Sequence, residues 1–228
     1  RVRSSAASDV YKRQEINGMG PDIAPDKVKE LRAKINALKA GDILVLAGSI
    51  PQSMPDTIYM DIMADLQGRG VNIVVDATRD LLMNVLSYKP FLIKPNNHEL
   101  GEIFGVVLRK REEVIPYARK LQEKGARNVL VSMAGEGAVL IDENGREYMS
   151  EAPEGKVVNA VGAGDSMVAG FIAGYLEKKD YEYAFHKGLA AGSASAFSEQ
   201  LATDEEVEAL LEKLERRISN PPALRQIE

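Results

Sequence analysis

Three small residues and a carboxylate, Gly162-Ala163-Gly164-Asp165, stand just ahead of an apolar run from Val168 to Leu176 that includes Gly170 and Gly174. The run has helical spacing, so the small residues are expected to form the turn that opens a helix. At such a turn the backbone N–H groups lack partners within the helix, and the helix dipole adds partial positive charge. Gly162 and Gly164 would let a phosphate reach the backbone with no Cβ in the way. Asp165, on the first turn, could take a proton from a nearby hydroxyl. An anion cradle beside a carboxylate suits phosphoryl transfer to an alcohol. A plainer reading of the same residues is a glycine-rich turn with Asp165 capping a buried helix.

The elements expected to position these residues alternate along the chain. Pro25 suits a first helical turn, and Val28, Leu31, Ile35 and Leu38 line one helix face. Short continuous apolar runs at 42–47, 71–76, 91–94 and 128–133 read as strands buried on both faces. Between them, 56–67, 81–86, 100–104 and 112–124 have helical character. Residues 138–141 and 147–149 flank Asp142-Glu143-Asn144-Gly145, a hairpin signal. Helices are expected after it, at about 163–178, 181–197 and 203–216, before periodicity fades beyond Asn220-Pro221-Pro222. This order predicts one α/β domain: a mainly parallel sheet with helices on both faces.

Ligands in open α/β sheets collect at the carboxyl ends of strands. Four motifs fall there: Gly48-Ser49-Ile50-Pro51, Asp76-Ala77-Thr78-Arg79, Lys94-Pro95-Asn96-Asn97-His98-Glu99 and Ser132-Met133-Ala134-Gly135-Glu136-Gly137. Asn96 and Glu99 have the spacing of a helix capping box, and a carboxylate there could equally serve a hydrated hard cation. Lys94 could reach a phosphate or simply snorkel from its strand. Arg79 could grip a phosphate through its guanidinium fork or lie solvated at a helix start. His98 is expected to be exposed. Gly188, Ala191, Gly192 and Ser195 are read as small residues that let helices pack closely.

Hydrophobic residues make up 45% of the 228 and charged residues 28%, ordinary for a globular domain of this length. A net charge of −5 supplies no basic field for nucleic acid or membrane surfaces. Without cysteine, a disulfide framework and thiolate metal sites are ruled out. No apolar run reaches membrane-spanning length and no signal peptide is evident, so a cytoplasmic location is the default expectation.

The longer string Asn159-Ala160-Val161-Gly162-Ala163-Gly164-Asp165-Ser166-Met167-Val168-Ala169-Gly170-Phe171 closely resembles the C-terminal signature of the phosphofructokinase B family of ribokinase-like sugar kinases. Ala160 departs from it, standing where the family usually carries Ser, Thr or Pro. The resemblance implies a ribokinase-like three-layer sandwich, ATP and Mg²⁺ as cofactors, and a phosphosugar substrate. It makes Asp165 the catalytic base, which also contacts the substrate, and the amides of Gly162, Ala163 and Gly164 the anion hole. Asn96 and Glu99 match the family's Asn-x-x-Glu motif, which is implied to organise Mg²⁺ through water and to help hold the nucleotide phosphates, with Lys94 beside it. Ser132, Gly135 and Gly137 match its nucleotide loop, with Ala134 replacing the first glycine; Ser49 and Arg79 fall beside the implied sugar site.

Taken together, residues 15–228 resemble the family's bacterial 1-phosphofructokinase branch, the stretch from Asp76 to Leu100 particularly closely, which implies ATP-dependent conversion of fructose 1-phosphate to fructose 1,6-bisphosphate. A tagatose-6-phosphate kinase would share every motif quoted, and a non-catalytic nucleotide- or sugar-phosphate-binding relative is the alternative of a different class. A homodimer would be compatible with the intact enzyme. Residues 1–14 show neither periodicity nor resemblance, and are expected to be a non-native remnant or a disordered tail rather than a divergent strand. Residues 15–228 are then a partial kinase domain lacking the family's N-terminal strands, most of its lid and much of its sugar pocket. Edges bared in this way would favour aggregation. The 228-residue polypeptide alone is therefore expected to show weak or no turnover in a coupled kinase assay; full activity would overturn that expectation.

Overall fold

The computed structural model describes residues 22–219. The expected tail at 1–14 and the stretch after Asn220 lie outside them. Helix α1 (Pro25–Asn36) starts with proline in its first turn, where the missing N–H costs nothing. Strands β1 (Ile43–Ala47), β2 (Asn72–Asp76) and β3 (Leu92–Ile93) then alternate with helices α2 (Ile58–Asp65) and α3 (Arg79–Val85). Helices α4 (Asn97–Phe104) and α5 (Arg111–Glu123) lead to β4 (Asn128–Ser132), and the hairpin β5 (Ala138–Ile141) and β6 (Glu147–Ser150) follows. Three helices complete the described chain: α6 (Ala163–Lys178), α7 (Tyr181–Phe197) and α8 (Asp204–Ser219).

The sheet runs β1-β2-β3-β4-β5-β6, each strand lying beside its predecessor in sequence. β1 to β4 pair in parallel, and β5 pairs antiparallel with both β4 and β6. Successive side chains of a strand point to opposite faces; β2, β3 and β4 are covered on both, whereas β1, expected to be buried on both, lies at the edge of the described sheet and leaves Val45 and Ala47 exposed. Val75, Ile93, Val129 and Val131 join a core shared with α1 to α5. Val74, Leu92, Leu130 and Leu140 join a second core shared with α6, α7 and α8. The apolar strand runs are continuous for this reason. The expected three-layer α/β arrangement is what forms.

Several element boundaries fall a few residues from where the sequence suggested them. The fourth helix starts at Asn97 instead of Leu100, because Asn96 caps it. The third starts at Arg79 instead of Leu81. A short 3-10 turn at Ala134–Glu136 occupies what the sequence suggested only as a loop.

Helices α6 and α7 approach closely enough for backbone to touch backbone. A Cβ built on Gly170 would lie 2.6 Å from the Ala191 Cβ and 2.7 Å from the Lys187 carbonyl. One on Gly188 would lie 2.9 Å from the Met167 carbonyl, and one on Gly192 3.0 Å from that of Ala163. Ser195 Oγ meets Ser166 Oγ at 2.8 Å across the same seam. The small residues of α7 therefore serve packing, as expected. They also fix where the mouth of α6 stands. Lys187, buried between the helices, holds Glu177 of α6 at 2.6 Å and Glu208 of α8 at 2.9 Å.

This contact yields a sign test. Gly170→Ala should gain about 1 kcal/mol in helix propensity, yet overpacking of this kind costs roughly 1–3 kcal/mol. The variant is expected to be less stable in urea denaturation. Equal or higher stability would show that the two helices can part without cost.

Candidate active site

The parallel strands end on one rim, and backbone bonds tie their end loops together. Gly48 N–H donates to the Asp76 carbonyl at 3.1 Å, joining the loops after β1 and β2. Ser132 N–H donates to the Pro95 carbonyl at 3.2 Å, and Asn96 and Ser132 form an isolated parallel bridge. That places the Asn96–Glu99 motif beside the loop after β4. Lys94, 7% exposed, sends its ammonium to within 3.3 Å of the Asp76 carboxylate. The same Nζ would lie 3.2 Å from a Cβ built on Gly164, so the mouth of α6 closes over this group.

Asp76 records the electrostatics of the place. Burial pushes its carboxyl up from the usual range; the Lys94 ammonium pulls it down, and the nearby charges of Asp165 and Glu99 push it up again. Three carboxylates and one buried ammonium therefore share one field. Asp165 itself is exposed, on the first turn of α6. The helix N-cap is Gly162, whose φ of 79° suits glycine, so the reading of Asp165 as the cap does not hold.

The α6 mouth differs in detail from the expected anion hole. Ala163 N–H is already bonded to the Ala160 carbonyl at 3.2 Å. The first bond of the helix ladder runs from Ser166 N–H to the Gly162 carbonyl at 2.9 Å. The amides of Gly164 and Asp165 lie ahead of that bond, where a helix leaves N–H groups to other acceptors. The bare face of Gly164, expected to admit a phosphate, meets the Lys94 ammonium instead.

Asn96 and Glu99 form a complete capping box: Asn96 Oδ1 accepts from the amides of His98 and Glu99, and Glu99 Oε2 accepts from Asn96 N–H at 2.8 Å. The box holds the Glu99 carboxylate at the rim in one orientation. His98 is exposed, as expected. Ser49 is exposed next to Gly48. Arg79 is drawn away: its Nε pairs with Glu102 of α4 at 3.0 Å, and its backbone sits at a φ of 49°. Tyr59 holds the loop after β1 from beneath, donating from its hydroxyl to the Ala47 carbonyl at 2.7 Å.

In the Ser132–Gly137 loop, Met133 N–H reaches the Gly137 carbonyl at 2.8 Å. Gly137 cannot change, because a Cβ there would fall 2.0 Å from the Ser150 carbonyl. Gly135 is open on the surface. Ala134 has a φ of 48°, so the position where alanine replaces glycine does demand the left-handed region. Arg111 of α5 holds the loop, with one guanidinium nitrogen on the Glu136 carbonyl and another 3.3 Å from Glu151.

Asp76 and Arg111 were not singled out from sequence as site residues. Asp76 carried a usable signal, an ionisable residue ending a buried apolar strand on the rim. Arg111 carried none. Among the described residues no three carboxylates or imidazoles gather closely enough to hold a metal ion. The donor set therefore fits a cation held largely by other ligands, with a carboxylate reaching its waters.

A positive φ on alanine costs about 1–2 kcal/mol, partly offset by the extra unfolded-state entropy of glycine. Ala134→Gly is thus expected to raise stability by about 0.5–1 kcal/mol, and Gly137→Ala to lower it. Urea midpoints measure both. A fall in the first variant would show that the loop stores no strain.

Residues 4–208 match the pfkB carbohydrate kinase family model. A 1-phosphofructokinase of Bacillus subtilis is 48% identical over 197 residues, covering 86% of this chain and 65% of its own length. A D-tagatose-1-phosphate kinase of Bacillus licheniformis is 35% identical, covering 82% of this chain and 62% of its own. The chain thus spans somewhat under two thirds of the length of these relatives. Among solved structures, phosphofructokinase-2 of Escherichia coli, in complex with substrates and products, superposes with a TM-score of 0.81 at 27% identity, over 88% of this chain and 66% of that one. Arabidopsis thaliana ribokinase superposes with a TM-score of 0.64 at 22% identity, over 84% and 60%, a likeness of fold.

Proposed function

The chain belongs to the pfkB family of carbohydrate kinases, and on that premise we propose that its protein moves the γ-phosphoryl group of ATP to the free 6-hydroxyl of fructose 1-phosphate, forming fructose 1,6-bisphosphate. The observation that carries this reading is the position of Asp165. It is exposed at the mouth of α6, within electrostatic reach of the buried Asp76–Lys94 pair, whose field also includes Glu99. An alcohol placed there meets a base on one side and the Lys94 ammonium with the α6 amides on the other.

Asp165 orients the sugar hydroxyl and receives its proton as the oxygen–phosphorus bond forms. The amides at the start of α6, with Lys94, stabilise negative charge on the moving phosphoryl group and on the departing diphosphate. Ser132, Gly135 and Gly137 line the nucleotide side, and Asn96 lies between it and Glu99. Glu99 would hold Mg²⁺ through water, and the cation would offset negative charge on the nucleotide phosphates. On the sugar side, Ser49 faces the acceptor. Arg79 would have to leave Glu102 to grip the phosphate already on the sugar. That pair is exposed, and such pairs are worth about 0–1 kcal/mol, so exchanging one anion for another is inexpensive.

The Bacillus licheniformis relative supports a second acceptor of the same class, a tagatose phosphate. Side-by-side assays of the full protein with fructose 1-phosphate, tagatose 1-phosphate and tagatose 6-phosphate should give the highest kcat/KM with the first; a higher value with either tagatose ester would reassign the substrate. Asp165→Ala is expected to lower kcat by at least about 100-fold while ATP binds as before. Turnover retained within about tenfold of wild type would remove Asp165 as the base.

A further inference from the structure

We propose that Asp76 is a positioning residue for nucleotide binding: it holds the Lys94 ammonium against the bare face of Gly164, so that a buried lysine and the start of α6 form one anion cradle. The inference rests on the phosphoryl-transfer reading of the site and adds a residue and a role to it.

The sheet register builds the pair. Val75 lies opposite Ile93 in the parallel pairing of β2 and β3, so the next residues along, Asp76 and Lys94, are neighbours. Val75 and Ile93 face the α1–α5 core and Val74 and Leu92 the opposite one. By alternation Asp76 and Lys94 return to the side of α6. There the two side chains are only 18% and 8% exposed and sit 3.3 Å apart. Lys94 then meets Gly164, where an added Cβ would stand 3.2 Å from Nζ and 3.6 Å from Cε.

That last contact is the informative one. The amino-terminal end of a helix carries partial positive charge, so a buried ammonium placed against it is repelled in the empty molecule. Asp76 offsets the repulsion, at the expense of a carboxylate itself disfavoured by burial and by Asp165 and Glu99. Two positive groups held face to face suit an anion that contacts both, and the γ-phosphate is the anion this reaction supplies. Lys94 and the α6 amides would then grip it together.

The proposal predicts a sign opposite to that of simple electrostatics. Removing a carboxylate from an anion site ordinarily strengthens anion binding. Asp76→Asn is instead expected to weaken ATP binding by at least about tenfold, because the ammonium is no longer held in place. Adenosine, which has no phosphate, should bind within about twofold of wild type. The Asp76→Asn/Lys94→Met double variant should bind ATP no more weakly than Lys94→Met alone, and Asp76→Glu should recover part of the loss. Calorimetric titration of the full protein with MgATP and with adenosine measures all of these, with melting curves to check folding. Should Asp76→Asn fail to fold, Gly164→Ala displaces the ammonium while leaving both charges in place, and it should weaken ATP to a similar degree.

Unchanged or tighter ATP binding in Asp76→Asn would overturn the proposal. So would equal loss of ATP and adenosine, which marks a structural role, or additive losses in the double variant, which mark independent groups. If Gly164→Ala is the variant measured, wild-type ATP affinity in it overturns the proposal. Wild-type protein that binds no ATP would overturn both readings. If the titrations behave as expected but Asp165→Ala keeps its turnover, only the assignment of the base falls.

Discussion

Burial of β2, β3 and β4 on both faces is the constraint from which the rest of this molecule follows. Val74 and Val75, adjacent in β2, enter two different cores, and Leu92 and Ile93 in β3 do the same. A strand in that position cannot carry polar chemistry along its length without stranding it in a core. Polar side chains are therefore concentrated where strands end. Asp76, Lys94, Asn96 and Ser132 all stand at or just past a carboxyl terminus of β2, β3 or β4. The site is as much a product of that exclusion as of its own residues.

The second determinant is the seam between α6 and α7. Glycines on both helices meet backbone across it, so α6 cannot slide or roll without a collision. Its amino-terminal turn is thereby held over Lys94. Large side chains at the seam would lift that turn by ångströms, the scale on which the proposed phosphoryl transfer would lose its geometry. Packing and chemistry are coupled here through a row of missing Cβ atoms.

Much of this was legible from residues alone. Buried strands announce themselves as unbroken apolar runs, and the Gly-Ala-Gly-Asp turn is unusual enough to mark a helix mouth. The capping role of Asn96 and Glu99 could be read from spacing, because it is local. What escaped was set by register or tertiary contact. Asp76 reads only as an ionisable residue ending an apolar run until β2 and β3 pair and bring Lys94 beside it. The engagement of Ala163 N–H by the Ala160 carbonyl depends on how the turn before α6 closes. Arg79 reads as a cation at a strand end, but its direction is decided by Glu102, 23 residues away on another helix. Left-handed backbone at Ala134 was posed as a question by the substitution of alanine for glycine, and only the φ of 48° answers it.

The order of the sheet has a consequence for how the chain is made. Each strand from β1 to β6 lies beside the one synthesised just before it. A growing polypeptide could therefore add these six strands one at a time to an existing edge. Such short-range closure is entropically inexpensive and favours rapid assembly. The functional rim would be an exception to this thrift. Its last component, the start of α6, emerges 69 residues after Lys94 (163 − 94) and must dock over an ammonium that its own arrival covers. On a ribosome, these six strands would be in place before the proposed anion cradle could close.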